Sequence, residues 1–373
     1  MMHYNRIIIP STLKQVLPPG IMDNAKNVKE ISVHEKNEYF ASVDGVLFTK
    51  NLKMLIKYPK AREGAYHIPD TTTAISKTAF RYCKKLTELY VPGALKWFRS
   101  SVSYCSVTAI HFEEGVKTIE GYNFTNCDNL TEITFPASVN LINGGCFLSC
   151  QKLKSITFLS KQLYFAAEPT EDGVLNRKKH PLYLPVISSF TECDKLESVS
   201  FPNLEEGYIP LDFLKFCPSL KYLRIGKYEI HSANGMDADG LVYNTDIDIP
   251  FIELCFISSI ITKKNYRSAE KVKPNIILSV IAATDFINDG EKNAEKYIKD
   301  HTVEVFDRLI FSENTTLIRK LLNSGKFVSD ENIEEIAKRA IDHTQNGGNT
   351  EAQVLLSQYA NKLHSGLFSE LEI

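Results

Sequence analysis

Cysteine is the residue type in this chain whose chemistry is most easily recognised from its spacing. A thiolate can ligate zinc, form a disulfide or act as a nucleophile. Of the eight cysteines in 373 residues, Cys146 and Cys150 form a single C-x-x-x-C pair without the second pair that a zinc site needs. We therefore expect neither a metal nor a cofactor. Six cysteines recur instead at regular intervals, at Cys83, Cys105, Cys127, Cys150, Cys193 and Cys217.

Catalytic motifs are missing from the sequence. It contains no H-E-x-x-H, no Walker-type G-x-x-x-x-G-K-[ST], no G-x-S-x-G and no G-x-G-x-x-G. A nucleophilic cysteine needs an adjacent base, and the regularly spaced cysteines are expected to be buried and inert. We predict that the chain is not an enzyme. A cysteine hydrolase that uses Cys146 or Cys255, which lie off the regular spacing, is the remote alternative.

The regular spacing belongs to a longer repeated phrase. Residues 124–139 read FTNCDNLTEITFPASV, and residues 80–95 read FRYCKKLTELYVPGAL. Phe, Cys, Leu, a further apolar residue and Pro fall at identical offsets, and the repeat length is about 23 residues. A period of about 20 to 29 residues with fixed apolar positions is typical of a leucine-rich solenoid, in which turns stack and bury their apolar sides on one another.

Each repeat contains a short strand. In one copy Ile133 and Phe135 alternate with Glu132 and Thr134, which is the period of a half-buried strand, and Pro136 ends it. The repeated cysteines then form a ladder of small buried thiols. Stacked strands lie ~4.8 Å apart, within disulfide reach, so an oxidised ladder stays open as an alternative.

The residues that flank the central apolar position of each strand point away from the core and form two columns. Most are Ser and Thr, for which a solvated sheet surface is the simpler interpretation. Tyrosine and arginine at the ends are types enriched in interface hot spots. The predicted binding residues on this sheet face are Tyr90, His111, Glu132, Thr134, Tyr222 and Arg224.

These motifs resemble the BspA-like leucine-rich repeats. The resemblance is carried by D-G-V-L-F at Asp44, Y-H-I-P at Tyr66 and A-F-R-Y-C-K-K-L-T-E-L-Y-V-P at Ala79, and it extends over about residues 28–245. It implies a hairpin at the Asp-Gly turn and a curved, right-handed solenoid with a parallel sheet on one face. Members of the family are mostly binding proteins, and several are cell-surface adhesins with export signals.

The C-terminal part differs, since no proline follows Pro274 and the apolar residues take helical spacing. We predict an α+β repeat protein with a solenoid over residues 1–248 and an all-α domain over residues 249–373. The stretches LIRKLLNSGK and LLSQY weakly resemble degenerate ankyrin repeats, although the T-P-L-H-x-A signature is absent. A plain helical bundle that caps the solenoid is the alternative.

Charge and hydropathy narrow the class of partner. Lys and Arg total 43 against 45 Asp and Glu, which argues against a nucleic-acid binder. No stretch approaches the ~20 apolar residues of a membrane span. No signal peptide is visible, which favours a cytoplasmic location; a secreted or surface location is the alternative if a signal had been removed.

The predicted function is accordingly a non-catalytic repeat scaffold that binds a protein partner on the exposed strand face. The alternative is a cell-surface adhesin that holds host or matrix protein on the same face.

Overall fold

The computed structural model describes residues 5–15, 25–98, 102–166, 190, 192–208, 217–231, 266 and 274–365. Structural statements below refer to these ranges. The chain forms two compact units, Met1–Cys217 and Pro218–Ile373. The predicted boundary between residues 248 and 249 falls outside the described ranges and stays a prediction.

The first unit is a β-solenoid of about seven turns, which confirms the predicted fold class. Its strands are β1 (Arg6–Ile9), β2 (Glu30–Val33), β3 (Phe40–Val43), β4 (Val46–Thr49), β5 (Met54–Lys57), β6 (Gly64–His67), β7 (Ala74–Ile75), β8 (Leu86–Val91), β9 (Trp97–Phe98), β10 (Ala109–Phe112), β11 (Thr118–Ile119), β12 (Glu132–Phe135), β13 (Leu141–Asn143), β14 (Ser155–Phe158), β15 (Gln162–Ala166), β16 (Ser198–Phe201) and β17 (Glu206–Tyr208).

Two sets of parallel strands build each turn. On one side β6, β8 and β10 pair in parallel, as do β12, β14 and β16, and β10 packs beside β12. We call the outward surface of these six strands the strand face. A second parallel sheet runs in the order β9, β11, β13, β15 and β17. Sequential strands of one sheet are joined through the other, as a coil requires.

Stacked phenylalanines run through the core between the sheets. Phe135, Phe158 and Phe201 form one ladder, with ring centroids 5.1 and 4.9 Å apart. In a second ladder Phe147 stacks at 5.1 Å on Phe124. All are fully buried, and burying each side chain stabilises the fold by roughly 1.5–3 kcal/mol relative to exposure. The repeated phrase therefore encodes the register of the coil.

The N-terminal hairpin is confirmed. β3 and β4 pair antiparallel around Asp44 and Gly45, whose φ angles of 48° and 70° suit a two-residue turn with both central residues left-handed. β4 then pairs antiparallel with β5.

Among the described residues, five turns share a left-handed residue immediately before the repeated cysteine. Tyr82, Tyr104 and Asn126 have φ angles of 65°, 61° and 56°. Their backbone N–H groups donate to carbonyl oxygens of the next turn, at 3.1, 2.8 and 2.9 Å. The unusual backbone therefore provides hydrogen bonds between turns. The same slot also holds Ser149 and Glu192.

The second unit contains an antiparallel hairpin and six described helices. They are β18 (Tyr222–Ile225), β19 (Tyr228–His231), α1 (Ile276–Asp289), α2 (Lys292–Asp300), α3 (Thr302–Phe311), α4 (Thr315–Asn323), α5 (Ile333–Gln345) and α6 (Glu351–His364). The helical character is as predicted, whereas the resemblance to ankyrin repeats stays a prediction. Helix α1 starts at Asn275, whose side chain accepts a hydrogen bond from the Leu278 N–H, and stops at left-handed Gly290.

A buried carboxylate joins the hairpin to α1 within this unit. Asp285 is fully buried. The hydroxyls of Tyr228 and Tyr266 each donate to it at 2.8 Å, and Lys227 Nζ lies 3.0 Å away. Burial, together with the Asp285 carboxylate, raises the pKa of both tyrosines well above the usual range.

Candidate functional site

Four of the six predicted binding residues lie on the strand face of the first unit. Tyr90 is on β8, His111 on β10, and Glu132 and Thr134 on β12. Tyr90 is half-buried and the other three are exposed. Parallel pairing places Tyr90 directly opposite His111. Residues that the repeat places in one column are therefore neighbours on adjacent strands of the sheet.

Three aromatic rings stack at the N-terminal end of the strand face. His67 lies against Tyr90 with ring centroids 3.9 Å apart and planes within 8°. On the other side of the phenol ring, His111 stacks at 4.3 Å and 18°. Strand pairing imposes this contact, since the three residues occupy equivalent positions on β6, β8 and β10. We call His67, Tyr90 and His111 the ring stack.

Glu88 fixes the polar edge of the ring stack. Its carboxylate accepts a hydrogen bond from the Tyr90 hydroxyl at 2.9 Å and lies 3.2 Å from His111 Nε2, which donates to it when that nitrogen carries a proton. The Tyr90 hydrogen bond, followed by the one from His111, holds the pKa of the Glu88 carboxyl below its usual range. The same bond raises the pKa of the Tyr90 hydroxyl. Stacking between the rings and the contacts of Glu88 with Tyr90 and His111 together fix the orientation of the ring stack.

His67 was not among the predicted residues. A sequence signal for it exists, because Pro69 and Pro92 are 23 residues apart, so that His67 falls at the Tyr90 position. In the sequence the Y-H-I-P segment serves only to carry the family resemblance. In the structure its Tyr66 and His67 end β6, the first strand of the strand face.

The rest of the strand face is short and polar. Ser155 and Thr157 on β14 and Ser198 and Ser200 on β16 are half-buried and lie opposite one another in register. They offer neither large rings nor charges. This end of the strand face fits the simpler interpretation of a solvated sheet surface.

The remaining predicted residues, Tyr222 and Arg224, lie on β18 in the second unit. Arg224 pairs with Glu229 across the hairpin at 3.5 Å, and the Tyr222 ring lies 4.9 Å from that of His231. Both side chains are therefore engaged with the neighbouring strand of their own hairpin.

The cysteine ladder is buried. All seven described cysteines are buried, and none of them forms a disulfide in this structure. Burial raises the pKa of the Cys127, Cys146 and Cys217 thiols well above the usual range. Such thiols lack the thiolate character of a nucleophile, which speaks against Cys146 in a hydrolase. Cys255 lies outside the described residues.

Neither a metal centre nor a membrane span emerges from the described part of the chain. Within it, no cluster of His, Cys, Asp and Glu is arranged to hold a metal ion. None of the described helices is long and apolar enough to cross a bilayer.

The coil, its ladders and its flat sheet surface define a repeat protein of the leucine-rich solenoid class. The family model of the BspA type leucine rich repeat region matches residues 64–168, in six copies. Residues 64–168 of the solenoid are thus BspA-type leucine-rich repeats.

Three solved structures of bacterial proteins match part of this chain. The pneumococcal vaccine antigen PcpA is 21% identical, with 60% of this chain and 46% of that chain covered and a TM-score of 0.37. A leucine rich cell surface protein from Faecalibacterium prausnitzii is 21% identical, with 52% and 47% covered and a TM-score of 0.41. A leucine rich repeat protein of T. pallidum is 17% identical, with 52% and 83% covered and a TM-score of 0.36. The match spans about half the length of the first two. No curated protein matches this chain.

Proposed function

We propose that this protein is a non-catalytic scaffold that binds a protein partner on the strand face, centred on the ring stack. The observation that carries the proposal is the pair of ring contacts at 3.9 and 4.3 Å on an exposed sheet surface. A tyrosine held between two imidazoles loses little side-chain entropy when a partner covers it, which favours binding. Tyrosine is also enriched among the residues that dominate interface energies.

The charges near the ring stack support a protein partner over a nucleic acid. Glu88 and Glu132 both lie on the strand face, and carboxylates there repel a phosphate backbone. Glu132 and Thr134, which are exposed on β12, would form the polar rim around the ring stack.

The test is affinity capture with the whole chain as bait, followed by mass spectrometry and direct affinity measurement for each captured protein. Two samples are used, a cell extract and protein from the cells' surroundings. We expect Tyr90→Ala/His111→Ala to weaken binding of the specific partner by about tenfold or more. The matched control, Thr157→Ala/Ser200→Ala, removes two outward side chains from the other end of the strand face and should leave binding unchanged.

The outcomes separate the alternatives. Equal affinity in the two variants would refute docking at the ring stack. A Tyr222→Ala/Arg224→Ala variant tests the second unit separately. A partner from the cell extract fits an internal scaffold, whereas one from the surroundings fits the adhesin.

A further inference from the structure

A second group of side chains, half-buried Arg81 and Tyr104 with exposed Tyr82, lies at the turns, away from the strand face. The Arg81 guanidinium lies over the rings of Tyr82 and Tyr104, at 5.0 and 5.5 Å from their centroids. The two tyrosines stack on each other at 4.9 Å. Lys60 Nζ lies 5.1 Å from the Tyr82 ring on the same group. Two rings thus hold one arginine in place.

Arg81 has no acidic partner within the described part of the chain. Its one polar side-chain contact is a long one of 3.5 Å from Nη2 to the Tyr82 hydroxyl. Guanidinium has five N–H donors in a planar fork that suits a carboxylate. A guanidinium that is fixed in position and retains unused donors is preorganised for an anion.

The backbone of both tyrosines has a positive φ angle. Tyr82 and Tyr104 occupy the left-handed slot before the cysteine, where later turns hold Asn126, Ser149 and Glu192. The positive φ belongs to the repeat, because N–H groups of this slot bond between turns. Two of the five described slots nevertheless carry a large aromatic ring, which positive φ disfavours. Tyr82 is 41% exposed, so core packing does not explain its ring. These two positions place a pair of stacked rings beside one cation, with the Tyr82 ring open to solvent.

We propose that Arg81, Tyr82 and Tyr104 bind an acidic segment of a protein, with an Asp or Glu side chain of that segment accepting from the Arg81 fork. A free carboxylate ion would gain only that contact on an open surface. A peptide also covers the exposed Tyr82 ring, and Tyr and Arg are the residue types most enriched in protein hot spots. Lys60, although buried, places a second positive charge near the same ring. This site is separate from the ring stack.

The experiment measures the fluorescence anisotropy of a labelled octaglutamate peptide with the full chain at low ionic strength. Arg81→Gln should weaken binding by about tenfold, which corresponds to one lost charge-assisted contact. Arg81→Lys keeps the charge but loses the fork and should recover only part of the affinity. The exposed Arg319 on α4 gives the matched control, because Arg319→Gln changes net charge equally and lies in the second unit. Circular dichroism of each variant verifies folding.

Several results would overturn the proposal. These are the absence of octaglutamate binding by the unmodified chain, equal losses for Arg81→Gln and Arg319→Gln, or full recovery by Arg81→Lys. Vesicles of phosphatidylserine form a parallel arm, and Arg81-dependent binding to vesicles but not to the peptide would also overturn the peptide assignment. Tyr90→Ala/His111→Ala should leave peptide binding unchanged, so this site and the proposed function can fail independently.

Discussion

The Cys150 thiol donates to the carbonyl oxygen of Phe124 in the preceding turn, at 2.9 Å. Cys193 does the same to the carbonyl of Phe147 at 2.9 Å, and Cys105 contacts the carbonyl of Phe80 at 2.8 Å. The thiols are fully buried, so water does not compete for these carbonyls. The repeated slot therefore suits a residue that is small and apolar and carries one weak donor.

Replacing Cys150 with valine keeps the volume and apolar character of this position and removes the donor. We expect Cys150→Val to lower the free energy of unfolding by about 1–2 kcal/mol, because the Phe124 carbonyl loses its hydrogen bond in a buried site. Urea unfolding followed by circular dichroism measures the change. Cys83→Val is the matched control, since Cys83 occupies the same slot and is buried, and within the described part of the chain its thiol donates to no carbonyl. Equal effects of the two substitutions would contradict a role for the hydrogen bond.

The coil could be predicted from sequence because every turn repeats one phrase with the apolar residues in step. Phe135 stacks on Phe158 in the structure, as the offsets require. Thiol donation could not be predicted, since the repeat gives the slot of Cys150 and not the direction of its S–H group. The strand-face columns were predictable, whereas the part of Glu88 in bonding both Tyr90 and His111 depends on rotamers that spacing does not determine.

In the C-terminal part the helices could be predicted from the sequence, whereas the contacts of the buried carboxylate could not. Helical periodicity predicted that the chain after Pro274 is α-helical, because one apolar stripe per helix is a local signal. The role of Asp285 was not predicted. Its partners Tyr228 and Tyr266 lie 57 and 19 residues away along the chain, and no periodic pattern brings distant polar residues together.

Thiol reactivity provides a second prediction. Burial raises the pKa of Cys127, Cys146 and Cys217, so these thiols stay protonated and unreactive in the folded protein near neutral pH. In a Cys255→Ser background, the seven described cysteines should react with Ellman's reagent only after unfolding. As urea is added, all seven thiols should become reactive together, at the unfolding transition. Rapid labelling of one thiol without denaturant would contradict the buried ladder.

A third prediction concerns pH. The folded-state pKa of Glu88 is lowered, mainly by the Tyr90 hydroxyl. A lowered carboxyl pKa contributes stability above the unfolded value of about 4.3, and this contribution is lost as pH falls through the folded value. Glu88→Gln should therefore lower the urea midpoint slightly near neutral pH. The difference from the unmodified chain should vanish in acid.

The partial exposure of Glu88 limits the stability effect of Glu88→Gln and determines a suitable control. The Glu88 side chain is 39% exposed, so added salt should reduce the difference at neutral pH. Glu132→Gln is the comparison, because Glu132 is exposed on the same face and makes no side-chain hydrogen bond in the described structure. A Glu88→Gln effect that is the same at neutral and acid pH would refute the charge-assisted bond.

The last prediction tests the buried carboxylate of the second unit. Asp285→Leu preserves approximate size and leaves the hydroxyls of Tyr228 and Tyr266 without their acceptor. Removing one partner of a buried charged network costs about 3–5 kcal/mol, and we expect a loss of about 3 kcal/mol in guanidinium unfolding followed by helical circular dichroism. Tyr228→Phe removes one donor and should cost about 1 kcal/mol.

Two comparisons make this test specific. Asp289 also pairs with Lys227, but its side chain is 48% exposed, so Asp289→Asn should change stability by less than about 1 kcal/mol. The double variant Asp285→Leu/Tyr228→Phe should lose less free energy of unfolding than the sum of the two single losses, because both substitutions remove the same contact. Simple additivity would mean that Tyr228 and Asp285 stabilise the unit independently. A loss for Asp285→Leu no larger than for Asp289→Asn would show that the carboxylate does not hold the hairpin to α1.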